Sequence, residues 1–89
     1  MVFVKKLILD VLKPHVPNVL ELAKAIAEQG EDYHVTFVVK EVDEKTETVE
    51  IVIEGKDIQF HAIEEIIHAM GASLHSVDEV EVVNCPTPD

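Results

Sequence analysis

Residues 61–70, HAIEEIIHAM, place two histidines and two glutamates in one short segment. Imidazole nitrogens and carboxylate oxygens are the donors that zinc-type sites use. On a helix, however, Ile63, Ile66, Ile67 and Met70 form the apolar stripe at i, i+3, i+4 and i+7. His61, Glu65 and His68 then point away from that stripe. Seven residues of helix separate the two histidines by about 10 Å along the axis. Two nitrogens on one metal, with bonds near 2 Å, must lie within about 3–4 Å of each other. The pairs that can meet are His61 with Glu65 and Glu64 with His68, each at i, i+4. Two ligands do not make a site, and the zinc-protease spacing HExxH is absent. The segment reads as a solvated helical face.

Asp10 is the second candidate, because a charge in the middle of an apolar strand is unusual. If its strand is central, Glu50, Glu79, Glu81 and His75 on neighbouring strands share its face. Asp10, Glu50, His75 and Glu79 would then offer a donor set suited to calcium or magnesium. The competing reading has Asp10 solvated, or paired with Lys6, Lys40 or a lysine of another subunit. His75, Ser76 and Asp78 have the residue types of a hydrolytic triad but no nucleophile elbow, and their proximity reads as chance. His15, between Pro14 and Pro17, reads as a polar loop residue. Cys85 has no evident base beside it. No catalytic set of acid, base and nucleophile can be assembled, so no enzyme is expected.

Elements with clear periods must position these residues. Phe3–Leu12 alternates as a strand, with Leu7, Leu9 and Val11 on one face and Lys6, Ile8, Asp10 and Leu12 on the other. Pro17 opens a helix to about Gln29 with Val19, Leu22, Ala23 and Ile26 buried, and Gly30 is expected as its left-handed stop. Tyr33–Val42 and Thr46–Glu54 read as two strands of a hairpin, bearing Val35, Phe37, Val39 and Val49, Ile51, Ile53. An even loop would split these apolar faces, so three or five loop residues are expected. Asp57 should cap a second helix that runs to Met70 before Gly71 stops it. Ser73–Val83 reads as a last strand with Leu74, Val80 and Val82 in the core.

The order β-α-β-β-α-β predicts an α+β ferredoxin-like sandwich: an antiparallel sheet in order 4-1-3-2 with two helices on one face. One domain should span residues 1–84, followed by a flexible tail at 85–89. The uncovered face should carry Ile8, Leu12, Val52 and Val77 among the acids. Apolar residues on a second face mark a partner surface, and these four are the expected oligomer contacts.

Composition narrows the partners. The chain has 89 residues, 47% hydrophobic and 28% charged, with eighteen acids against seven bases, all lysine, and a net charge of −11. Such a surface repels nucleic acid and anionic lipid, and without arginine it lacks the usual fork for phosphate. One cysteine excludes an internal disulfide. The opening apolar run is interrupted by Lys5, Lys6 and Asp10 and does not read as a signal peptide. No stretch is long enough to span a bilayer, so a cytoplasmic location is expected. Several other uses of this architecture also fail. An acylphosphatase-like site needs arginine, and a metal chaperone needs paired cysteines where this chain has KPHVPN. RNA recognition needs aromatics on the open sheet. An amino-acid-binding regulatory domain of the ACT type, with ligands at subunit interfaces, stays open, although its usual glycine-rich turn after the first strand is missing here.

The segments LILDVLKPHVPNVLELA (7–23), EVDEKTETVEIVIEGKDIQF (41–60) and LHSVDEV (74–80) carry a resemblance to the archaeal family named domain of unknown function 211 (DUF211). It covers nearly the whole chain apart from the tail. The resemblance implies a ferredoxin-like domain that assembles into hexameric or heptameric rings; the family being functionally uncharacterised, it points to no particular activity and supplies no established catalytic residues. In the second helix the family usually looks richer in glutamate and lysine, so His61 and His68 are not expected to be a shared site. The expectation is therefore a non-catalytic, homo-oligomeric interaction or regulatory module. The alternative is a protein binding a divalent cation through the acids of its open face or subunit interface.

Overall fold

The computed structural model describes residues 1–85. Its elements are β1 (Val2–Pro14), α1 (Val19–Ala27), β2 (His34–Val42), β3 (Thr46–Glu54), α2 (Phe60–Ala69) and β4 (Ser73–Asn84). The four strands form one antiparallel sheet in order β2-β3-β1-β4, which is 4-1-3-2 read from the other edge. Leu7, Leu9 and Val11 of β1 and Val49, Ile51 and Ile53 of β3 bury the side that meets Leu22 and Ile26 of α1 and Ile63 and Ile67 of α2. These residues form a single core, so both helices lie on one face. The opposite face is open. This is the ferredoxin-like arrangement.

Local chemistry sets the helix ends. Asn18 caps α1, its Oδ1 accepting the Glu21 N–H at 2.9 Å, so the first turn begins two residues after Pro17. The second helix starts later than expected. Ile58 is drawn into the core and donates its N–H to the Val4 carbonyl at 2.8 Å, which keeps the chain extended past Asp57. Asp57 is therefore not the cap; Gln59 occupies that position without a side-chain cap of its own. The hydroxyl of Tyr33 accepts the Gln59 N–H at 2.7 Å instead.

The two stop glycines differ. Gly71, at φ 82°, has the left-handed conformation expected of a helix terminus. Gly30 does not have positive φ, contrary to expectation. Glycine is needed there because a Cβ would overlap the ring of Tyr33.

Register departs from simple alternation in two places. Asp43, Glu44 and Lys45 separate β2 from β3, within the expected loop lengths, yet the last pair is Val42 with Glu47. A bulge at Lys40 then restores the alignment of Val39, Phe37 and Val35 with Val49, Ile51 and Ile53. On β4, irregularities at His75 and Asp78 each insert a residue relative to β1. Val77 thus pairs with Leu9 and faces the helix side, not the open face on which it was expected. Val80 and Val82, expected in the core, are 53% and 50% exposed. Helix α2 is ten residues long and β4 twelve, so at 1.5 against about 3.4 Å per residue the helix cannot cover the strand.

At the chain's start Met1 and Cys85 are joined, the Cys85 N–H donating to the Met1 carbonyl at 2.7 Å. The flexible tail expected over residues 85–89 otherwise lies outside the described residues. No helix among the described residues is long and apolar enough to cross a membrane.

Candidate functional site

The open face holds a hollow of about 240 Å³ lined by Asp10, Leu12, Thr48 and His75. Central strand β1 supplies Asp10 and Leu12 two residues apart, hence on the same face. Thr48 of β3 lies directly across from Leu12, and Glu50 directly across from Asp10. The irregularity at His75 brings its imidazole to the hollow's other side. Asp10 and His75 therefore line the same space, His75 through this irregularity, since the residue directly across from Asp10 is Ser76.

The remaining cation-site candidates turn elsewhere. Glu50 faces Lys40 Nζ at 3.8 Å, and Glu79 takes Lys6 Nζ at 3.1 Å. The hydrogen bond and charge of Glu79 raise the Lys6 pKa above its ordinary value. Among the described residues, no group of three or more histidine, cysteine or acidic side chains is arranged to hold a metal ion. Ser76 Oγ donates to Asp78 Oδ1 at 2.7 Å, so the triad-like residue types of this strand form no nucleophile–base pair. Ile8 and Val52 face each other at the centre of the open face, half-buried, with Leu12 exposed nearby.

On α2 the stripe is as the period required: Ile63 and Ile67 are buried, and Ile66 and Met70 pack against the core. The His61 side chain is 93% exposed, and its contact is Glu64 Oε1 at 3.9 Å rather than Glu65. This is a solvated helical face.

Two features escaped the sequence reading. Lys13, at the end of β1 and on its buried side, is 1% exposed. Its Nζ donates to Glu47 Oε1 at 2.6 Å and to the Pro14 carbonyl at 2.7 Å. His15 adds to this cluster. Its Nδ1 lies 3.6 Å from Glu47 Oε2, and its Nε2 meets the Asp43 and Glu44 carbonyls at 2.8 and 3.2 Å. The hydrogen bond from Lys13 holds the Glu47 carboxyl below the usual range, against the opposing effect of burial. The signal was present in the parity: Lys13 continues Leu9 and Val11, and Glu47 continues Val49 and Ile51, so both charges stand on the core side.

The other feature is an apolar groove of about 260 Å³ on the helix side of β4, lined by Val4, Leu7, Phe60, Val77 and Val80. It runs along the sheet edge, where, among the described residues, no strand neighbours β4 on its outer side.

Comparison with known proteins adds the following. The profile of the DUF211 family, described as "Uncharacterized ArCR", matches residues 5–84. An uncharacterised protein of Methanocaldococcus jannaschii is 38% identical over 77 residues, a match that covers 86% of this chain and 79% of the relative.

Proposed function

The chain belongs to the DUF211 family, and from that premise we propose that it is a non-catalytic homo-oligomeric interaction module. The observation that carries this reading is the β4 edge. Val77, Val80, Val82 and Val83 are exposed along a strand that, among the described residues, has no neighbour on its outer side, beside a groove lined by Val4, Leu7, Phe60, Val77 and Val80. Soluble proteins usually blunt such edges with charge, bulges or a covering element; β4 carries Asp78, Glu79 and Glu81 and two irregularities, yet its valines stay exposed between the acids. Here a partner would bury both the valines and the backbone groups. The opposite edge, β2, also exposes Val38, Val39 and Val42. Two different apolar edges on one sheet suit a head-to-tail contact between copies, and a head-to-tail contact closes into a ring when the rotation per subunit permits. Ile8 and Val52, at the centre of the open face and outside the lining of the hollow, offer a further contact between copies.

Multi-angle light scattering over a concentration series tests the proposal. A mass several times the 9.9 kDa chain, stable at micromolar protein, supports it; six or seven copies would match the ring. A monomer at those concentrations would overturn it.

A further inference from the structure

We infer that the open-face hollow formed by Asp10, Leu12, Thr48 and His75 is a binding site for a primary alkylammonium group. The starting observation is a carboxylate without a counterion. Its neighbours Glu50 and Glu79 each hold a lysine, whereas Asp10 has no hydrogen-bond or ion-pair partner among the described residues. Ser76, which pairs with Asp10 across the sheet, has its hydroxyl committed to Asp78. A half-buried carboxylate at the centre of a sheet gains from a donor that reaches it.

The lining residues select the kind of donor. The hollow offers a carboxylate, an imidazole nitrogen and a hydroxyl oxygen. A calcium shell takes six to eight oxygens, and Glu50 and Glu79 of this face are turned to lysines. An ammonium carries three N–H donors, which these three acceptors match in number. Leu12 forms an apolar wall against which a methylene stem can lie, as lysine stems do on protein surfaces. The net charge of −11 raises the local concentration of cations. A volume of about 240 Å³ accommodates an ammonium with a short alkyl chain. This inference does not depend on assembly, since all four residues belong to one chain.

Saturation-transfer NMR on n-butylammonium chloride with the full chain tests it at constant ionic strength. Saturable binding is expected. Asp10→Asn should weaken it about tenfold, in keeping with the loss of a charge-assisted hydrogen bond. Thr48→Val should weaken it several-fold, while Glu50→Gln should leave it nearly unchanged. Circular dichroism confirms that each variant is folded. Parallel titration with Nα-acetyl-lysine methylamide distinguishes the source. Tighter binding of butylammonium indicates a free amine, and tighter binding of the lysine analogue indicates a lysine side chain of a partner; either outcome upholds the site. Unsaturable signals, equal loss in Glu50→Gln and Asp10→Asn, or displacement of the amine by calcium at equal concentration would overturn it.

Discussion

Lys13 Nζ stands 2.6 Å from Glu47 Oε1, joining the end of β1 to the start of β3 beneath the β2–β3 turn. Both residues lie on the core side of the sheet, and the lysine is almost wholly buried. Its ammonium also donates to the Pro14 carbonyl. Truncating Lys13 to alanine leaves the Glu47 carboxylate without its main partner. Breaking one side of such a pair should cost about 2–3 kcal/mol, since Glu47 keeps some solvent contact. Lys13→Met, which retains the stem, should lose less. Urea denaturation of the two variants checks the order.

The same pair gives the stability an acid limb. The Glu47 pKa is lowered from 4.5, first by the hydrogen bond from Lys13. A carboxyl with a depressed folded pKa contributes stability that is fully present above its unfolded value. That stability is lost as the pH falls through the folded value. The difference in unfolding free energy between the parent and Glu47→Gln should therefore be constant above about pH 4.5 and shrink below it. A difference that stays constant into the acid range would contradict this assignment. Lys6 acts with the opposite sign. Its raised pKa makes its contribution complete below 10.5 and lost as the pH rises through the folded value.

At the other end of the sheet, Tyr33 links two loops. Its ring fills the space where Gly30 lacks a Cβ, and its hydroxyl serves the N-cap amide of α2. Tyr33→Phe should cost about 1 kcal/mol, the scale of one lost capping interaction. Gly30→Ala should cost about 1–3 kcal/mol because the ring must move. Hydrogen exchange at Gln59 provides the specific readout. Its protection should fall in both variants, while that of Ile26, in α1, follows global stability alone.

What was legible in the sequence follows from which elements had both neighbours fixed. The faces of β1 and β3 were read correctly because each is a central strand and each apolar series, Leu7-Leu9-Val11 and Val49-Ile51-Ile53, keeps strict alternation. The stripe of α2 was legible for the same reason. An edge strand has less to hold its register, and on β4 the irregularities at His75 and Asp78 moved Val77 to the other face. No pattern announced them, because serine, histidine, aspartate and valine suit either face. The Asp10–His75 hollow was half legible. Asp10 stood out as a charge in a core strand, whereas the commitment of Glu50 and Glu79 to lysines depends on side-chain reach across strands. Lys13 was missed because a lysine at a strand end is normally assumed to reach water.

The β4 edge yields the most direct check on assembly. Val80 is more than half exposed in the single chain and lines the apolar groove beside Val77. An isolated chain would tolerate Val80→Glu within about 0.5 kcal/mol, as exposed sites usually do. If copies join through this edge, the same change buries a charge against apolar side chains without a partner, at several times that cost. Val80→Glu should therefore reduce the mass seen by light scattering towards that of one chain while the circular dichroism spectrum remains folded. A second variant, Val38→Glu, tests whether β2 is the complementary edge. Equal loss of mass from either variant, with partial recovery on mixing the two, is the outcome expected of a head-to-tail contact, because each mutant retains one intact edge. A self-complementary β4–β4 contact would instead leave Val38→Glu fully assembled.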